Sequence, residues 1–68
     1  MEGSRLDRLM DLVGKKVFVI LASGRKYSGT IKEIADAGIG RHFIYLEDKY
    51  SNTVIFVDTE ANLIQQEA

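Results

Sequence analysis

The feature that most constrains this chain is the lack of any covalent or metal staple: its 68 residues include no Cys and a single His. Disulfides and thiolate metal sites are therefore excluded, and one imidazole does not make a structural zinc site. Below roughly 70–80 residues a single core seldom supplies more than about 3–5 kcal/mol of stability. Oligomerisation is the remaining way to bury more surface, so we expect the chain to associate.

The composition is typical of one ordered domain over residues 1–68, with 46% hydrophobic and 28% charged residues and no Pro. A net charge of −1 lacks the basic excess of proteins that coat nucleic acid, so any nucleic-acid site has to be local. No apolar run reaches the ~18 residues of a membrane span, and the N-terminus has no apolar signal core. We expect a soluble, cytoplasmic protein without a membrane partner.

Hydrophobic periodicity predicts a short amphipathic helix over about residues 4–13. Ser4 and Asp7 have the spacing of a capping box, and Gly14 suits the C-terminal cap. The apolar stripe that should dock on the rest of the chain consists of Leu6, Leu9, Met10 and Val13.

Runs of β-branched and aromatic residues between turn residues predict five strands, over about 17–22, 26–35, 42–47, 53–57 and 61–65. The first is apolar throughout, which indicates a strand covered on both faces. In the second, apolar parity shifts between Ile31 and Ile34, so the strand must bend or bulge, and Gly29 permits a corner. Residues 36–41 carry two Gly and predict a loop.

Five short, bent antiparallel strands indicate an all-β fold, a small barrel of the SH3-like or OB type over about 15–65, with an N-terminal helix. The fourth strand, Thr53–Val57, has no charge and no Pro, so on an open edge it would promote aggregation. We therefore expect it to be covered, or paired with a second copy of the chain.

Residues 14–31, GKKVFVILASGRKYSGTI, resemble the first motif of the Sm and Sm-like family. That motif is a hydrophobic strand, a Ser-Gly or similar turn, and a second strand with a later Gly; Gly24 and Gly29 hold the two glycine positions. Residues 42–48, HFIYLED, resemble the third strand of the family, nearer to the Hfq branch, which has Gln-Phe at the positions of His42 and Phe43. The order of elements agrees from about Leu6 to Gln65.

The resemblance implies an Sm fold, in which the fourth strand of one subunit pairs with the fifth strand of the next to close a ring of six or seven copies. It also implies single-stranded RNA as partner, with two loops lining the pore. The interface residues implied are the apolar side chains of the last two strands: Val54, Ile55, Phe56, Leu63 and Ile64.

The RNA-binding residues implied are Arg41, His42 and Phe43 before the third strand and Asp58 and Thr59 in the next turn. His42 and Phe43 would stack on bases, Arg41 would contact phosphate, and Thr59 would bond base edges. The residues alone leave open a simpler interpretation, in which Phe43 fills the core while Arg41 and His42 are only solvated.

The chain departs from the family where the uracil pocket should lie. Phe43 replaces the Asn of the Sm branch, Asp58-Thr59 replaces its Arg-Gly, and the intervening loop is longer. The Lys-His pair of Hfq is also missing, and an acidic residue in that position opposes a polyanion. The alternative is therefore an Sm-like ring that has lost the uridine pocket and acts as a protein scaffold.

Other polar residues carry less specific patterns. A basic patch is one interpretation of Lys15-Lys16 and Arg25-Lys26. Their positions give another, since the first pair follows a helix C-terminus and the second lies at a hairpin tip, where charged residues are common. Tyr50, in a loop, is the tyrosine expected to be exposed. The serines have only His42 as a possible base, and Glu47-Asp48 should point to opposite faces, so we expect no enzyme, cofactor or metal site.

Overall fold

The computed structural model describes the backbone of residues 2–67 and the side chains of residues 7–67. One helix and five strands follow one another, with a single turn of 3₁₀ helix, η1 (Asp58–Glu60), before the last strand. The predicted all-β architecture with an N-terminal helix is confirmed. The elements are α1 (Glu2–Asp11), β1 (Lys16–Leu21), β2 (Lys26–Gly38), β3 (Arg41–Glu47), β4 (Thr53–Val57) and β5 (Ala61–Gln66).

The strands form one antiparallel sheet in the order β4-β3-β2-β1-β5. Among the described residues β4 and β5 pair with one neighbour each and not with each other, so the sheet does not close as the expected barrel would. Closure depends on the angles between strands, which the residue pattern does not specify. The open sheet leaves two free edges, one on β4 and one on β5.

The bend of β2 lies where the parity shift predicts it. The register against β3 slips between Ile31 and Glu33, which makes Lys32 the bulged residue and returns Ile34 to the buried face. Gly29 also allows a close approach that the sequence does not predict. A Cβ at Gly29 would collide with the backbone carbonyl of Glu47, so glycine is required because the end of β3 crosses closely over β2.

The predicted loop over 36–41 is wrong for most of its length. β2 continues to Gly38 and β3 begins at Arg41, so only Ile39 and Gly40 form the turn. Both have positive φ, 52° and 71°, as a two-residue hairpin turn of type I′ requires. The two glycines indicate a turn correctly, but the strands run further into the hairpin than the sequence suggests.

The core lies on one face of the sheet and beneath α1. Alternation in β1 buries Val17, Val19 and Leu21 and leaves Phe18 and Ile20 half-buried on the opposite face. The sequence predicts that both faces of β1 are covered, but in the structure only one face of β1 is buried. The buried apolar residues are Leu9, Val17, Val19, Leu21, Ile31, Ile44, Leu46 and Phe56.

Among its described side chains, helix α1 contacts the core through fewer residues than the predicted apolar stripe contains. Leu9 is buried, whereas Met10 is 53% exposed, and Leu12 just after the helix packs on the core. The side chain of Leu6 lies outside the described residues, and Ser4 lies within the helix, not at its cap. Gly14 adopts φ 84° after the helix and donates its N–H to the Ile31 carbonyl.

Replacing Gly29 with Ala is expected to lower the free energy of unfolding by about 2–3 kcal/mol, because β3 must shift away from the added Cβ. Urea unfolding at one fixed protein concentration measures the change. Lys26→Ala, an exposed substitution in the same strand, should stay within about 0.5 kcal/mol of the parent chain. Equal midpoints for the two variants would show that the crossing is not tight.

Candidate nucleic-acid interface

The structure brings together two of the predicted RNA-binding residues that are 16 positions apart, His42 at the start of β3 and Asp58 in η1. The backbone N–H of His42 donates to Asp58 Oδ1 at 3.2 Å, and His42 Nδ1 lies 3.4 Å from Asp58 Oδ2. Asp58 is 4% exposed, and His42 is half-buried. This pair fastens the turn after β4 to the first residues of β3.

The buried carboxylate of Asp58 is occupied by His42 through both of its oxygens. A buried carboxyl group is tolerated when its oxygens have hydrogen-bond partners, and here Oδ1 accepts the His42 N–H and Oδ2 lies next to the His42 ring. Asp58 therefore positions η1 and the His42 ring, and it is not presented to a ligand. Its neighbour Thr59 is exposed, so the hydroxyl predicted to meet base edges is accessible.

Arg41 and Phe43 flank His42 and are accessible. Arg41 is exposed, and Phe43 keeps 38% of its surface exposed. Phe43 faces away from the core, whose β3 members are Ile44 and Leu46, so the simpler interpretation of Phe43 as a core residue is wrong. Arg41 and Phe43 therefore share the outer face of β3, whereas His42, between them in the chain, points to the opposite face and toward Asp58.

Phe43 belongs to an outer strip that the sheet register assembles. Phe43 pairs with Val57 and Tyr45 pairs with Ile55, so these four side chains share the face opposite the core. Alternation predicts the members within each strand, but the register between β3 and β4 is needed to place them together. The strip runs along the β4 edge of the sheet.

Asp36 is a neighbour of the site that the sequence does not indicate. It lies directly across from His42 in the β2–β3 ladder, and its Oδ1 accepts the Gly38 N–H at 2.9 Å. Residues 36–41 form a predicted loop in the sequence, and only the hairpin pairing brings Asp36 opposite His42. The local charge around Arg41 and His42 is thereby reduced.

The predicted interface residues differ in accessibility. Ile55 is 54% and Leu63 is 40% exposed, on the two edge strands. Val54 and Ile64 are partly buried against the core. Phe56 is 4% exposed, so in the single chain its side chain belongs to the core and not to a free surface.

A shallow groove of about 490 Å³ lies between α1 and the edge strand β5. Leu9, Leu12 and Ile64 give it apolar walls, with Arg8 and Asp11 at its rim. We call it the helix groove. It adjoins the free edge of β5, where a further strand would extend the sheet.

No family model, curated protein or solved structure matches the chain. The Sm-like resemblance therefore stays a prediction that rests on the residues that carry it. None of the described helices is of a length and hydropathy suited to crossing a bilayer. Across the described residues no cluster of three or more His, Cys, Asp or Glu side chains is arranged to hold a metal ion.

Replacing Asp58 with Ala is expected to lower the free energy of unfolding by about 1–3 kcal/mol, because the His42 N–H is left without its acceptor. Asp58→Asn keeps one acceptor oxygen and should lose less. Urea unfolding of both, with the exposed Glu60→Ala as the matched change in η1, measures the difference. An Asp58→Ala chain as stable as Glu60→Ala would contradict the fastening role of Asp58.

Proposed function

We propose that this chain is an Sm-like protein that assembles head to tail into a closed ring and binds single-stranded RNA. The observation that carries the assembly is the pair of free edges at opposite ends of one sheet. Pairing β4 of one copy with β5 of the next satisfies both edges by the same contact. A contact between two different surfaces closes into a ring when its rotation permits.

The residues at the two edges support this pairing. β4 carries no charge and no Pro, so nothing in it opposes strand addition. Ile55 on β4 and Leu63 on β5 are exposed in the single chain, and burying such a side chain fully contributes about 1.5–3 kcal/mol. The helix groove beside β5 offers apolar contact to a strand added there.

Ile55→Lys is expected to abolish assembly while the chain stays folded, because Ile55 is on the edge strand and outside the core. Size-exclusion chromatography with light scattering should give several times 7.6 kDa for the parent and a lower mass for the variant. The matched control is Ile39→Lys, since Ile39 is 97% exposed at the β2–β3 turn, away from both edges.

Circular dichroism of the two variants separates loss of assembly from loss of folding. Val54→Lys is a weaker test because Val54 also packs against the core. A parent chain that is monomeric at micromolar concentration would overturn the ring. So would an Ile55→Lys variant that keeps the parent mass.

RNA binding is supported by Arg41 and Phe43, which are exposed together on the outer face of β3. In this proposal Arg41 meets phosphate and Phe43 stacks on a base at this face, and Thr59 bonds a base edge. Asp58 contributes by holding His42 in place. The assignment follows the family resemblance, and the accessibility of Arg41, Phe43 and Thr59 agrees with it.

A protein scaffold ring is the second candidate, and the outer strip favours it. Phe43, Tyr45 and Val57 form a largely apolar surface beside Ile55, and Phe43 is exposed. The Asp58 carboxyl group is already paired with His42, and the Asp36 carboxylate lowers the positive charge around Arg41 and His42. Surfaces of aromatic and branched aliphatic side chains suit protein partners.

Arg41→Ala is expected to leave the ring mass unchanged and to weaken RNA binding by about tenfold, as the loss of one charge-assisted phosphate contact implies. Fluorescence anisotropy with short U-rich and A-rich oligonucleotides at two salt concentrations measures it. Arg25→Ala is the control, because it removes the same charge from an exposed position in the β1–β2 turn.

The two candidate functions predict different anisotropy results. Salt-sensitive binding that Arg41→Ala weakens and Arg25→Ala does not would agree with the RNA site. Equal losses in both variants would indicate general electrostatic attraction and would overturn the site. An intact ring that binds neither oligonucleotide would favour the scaffold.

A further inference from the structure

A second groove, of about 650 Å³, lies at the end of β3 away from Arg41. β3 begins at Arg41 and ends at Glu47, so about 20 Å of strand separates the two regions. We call this surface the lysine groove. The side chains that give it its chemistry are Lys16, Lys26, Ser28, Thr30, Lys49 and Tyr50.

The groove exists because β2 is paired unequally along its length. Pairing with β3 starts only at Thr30, whereas pairing with β1 already covers residues 26–30. Residues 26–29 therefore have a strand on one side and the β3–β4 turn on the other. The groove volume of about 650 Å³ lies within the range typical of pockets for drug-sized ligands.

Asp48 holds the β3–β4 turn in a defined shape. Its Oδ1 accepts the backbone N–H groups of Tyr50 at 2.8 Å and of Asn52 at 2.9 Å, and the Asn52 side-chain amide donates to Oδ2. These hydrogen bonds, the one from the Asn52 backbone first, hold the pKa of the Asp48 carboxyl below its ordinary value. Lys49 and Tyr50 are thus presented by an ordered turn.

The lysines of the groove form no salt bridge with the other described side chains. Glu47 lies 3.7 Å from Lys32, and the Asp48 oxygens are taken by the turn. Among the described side chains, Lys16, Lys26 and Lys49 make no salt bridge. Three lysines therefore line one groove in which the carboxylates of Glu47 and Asp48 are engaged elsewhere.

One hydroxyl of the groove, that of Ser28, is already hydrogen-bonded to a carboxylate oxygen. The Ser28 hydroxyl donates to the carboxylate of Glu67, and the Glu67 N–H donates to the Lys16 carbonyl. Glu67 is therefore an internal anion at the rim, anchored beside Lys16. A ligand phosphate would compete with this carboxylate for Ser28.

Tyr50 adds an aromatic surface to these charges. Its ring is 72% exposed, and Lys49 Nζ lies 5.1 Å from the ring centroid. An exposed tyrosine ring is a surface on which a nucleobase stacks. The combination of ammonium groups, hydroxyls and one exposed ring matches a phosphate joined to a planar base.

We propose that the lysine groove binds a nucleotide, with its phosphate on Lys16, Lys26 and Lys49 and its base against Tyr50. The nucleotide is either free or one residue of an RNA strand. An extended acidic peptide fits less well, because the backbone of Glu47 crosses over Gly29 and obstructs strand addition to this part of β2. The site is formed within one chain and does not depend on the ring or on Arg41.

Amide chemical-shift titration of the ¹⁵N-labelled chain with adenosine and uridine monophosphates tests the proposal. Saturable shifts are expected in residues 26–30 and 48–50. The double substitution Lys26→Gln and Lys49→Gln should weaken binding by about tenfold or more, because two charge-assisted contacts are lost. Lys15→Gln is the matched control, since Lys15 is exposed, precedes Lys16 and does not line the groove; it should change affinity less than about twofold.

Two further variants test the individual parts of the site. Tyr50→Ala should reduce the affinity for nucleotides to that for inorganic phosphate, because only the base contact is removed. Glu67→Gln should strengthen binding severalfold, because the competing carboxylate at Ser28 loses its charge. A Tyr50→Ala chain that still prefers nucleotides to phosphate would overturn the base contact.

The source of the nucleotide and the alternative ligand are separated by the same titration. Tighter binding of a short oligonucleotide in the Arg41→Ala background, at residues 26–30, would identify an RNA strand, whereas equal affinity for the mononucleotide would identify a free ligand. Absent or non-saturable shifts, equal losses in Lys15→Gln, or stronger binding of an acidic peptide would overturn the proposal. None of these results bears on ring formation, which light scattering measures.

Discussion

The bend of β2 is the constraint on which the remaining structure depends. β2 pairs with β1 in its first half and with β3 in its second, and the bulge at Lys32 keeps both halves facing one core. Gly29 permits the end of β3 to cross close over the strand. Because one strand serves both halves, β4 and β5 are left at the outer edges, and the β3–β4 turn is left beside residues 26–29 to form the lysine groove.

The pair of Asp58 and His42 is the second constraint, because it fixes the connection between the two edge strands. η1 carries the chain from β4 at one edge to β5 at the other, and Asp58 anchors its start to β3. A buried carboxylate that loses its partner is destabilising, so this contact is sensitive to substitution. The same contact gives Asp58 a structural role at a position where the resemblance implies a ligand-binding turn.

The sequence predicts the strands well and their assembly poorly. β4 has the predicted bounds, and β1, β3 and β5 are within one residue at each end, because alternation and turn residues are local signals. The 36–41 hairpin is missed because its glycines resemble a loop. Contacts between distant positions, such as Asp58 with His42 or Glu47 over Gly29, have no local signature. Arg41 and Thr59 are exposed, as the predicted binding roles require, whereas the position of Asp36 opposite His42 was not predicted.

Without Cys the chain has no disulfide to stabilise it, and its described residues form no cluster that would hold a metal ion. The open sheet indicates where further burial of surface can come from. The described part of one chain buries eight apolar residues, yet leaves Ile55 and Leu63 exposed on unpaired edges. The small core leaves the single chain with little buried apolar surface, and the two edges leave it with unpaired backbone groups. Strand addition between copies would bury apolar surface and pair those backbone groups in one contact. The two candidate ligand surfaces lie at opposite ends of β3 and consist of side chains, so assembly through the free edges and ligand binding do not compete for the same backbone groups.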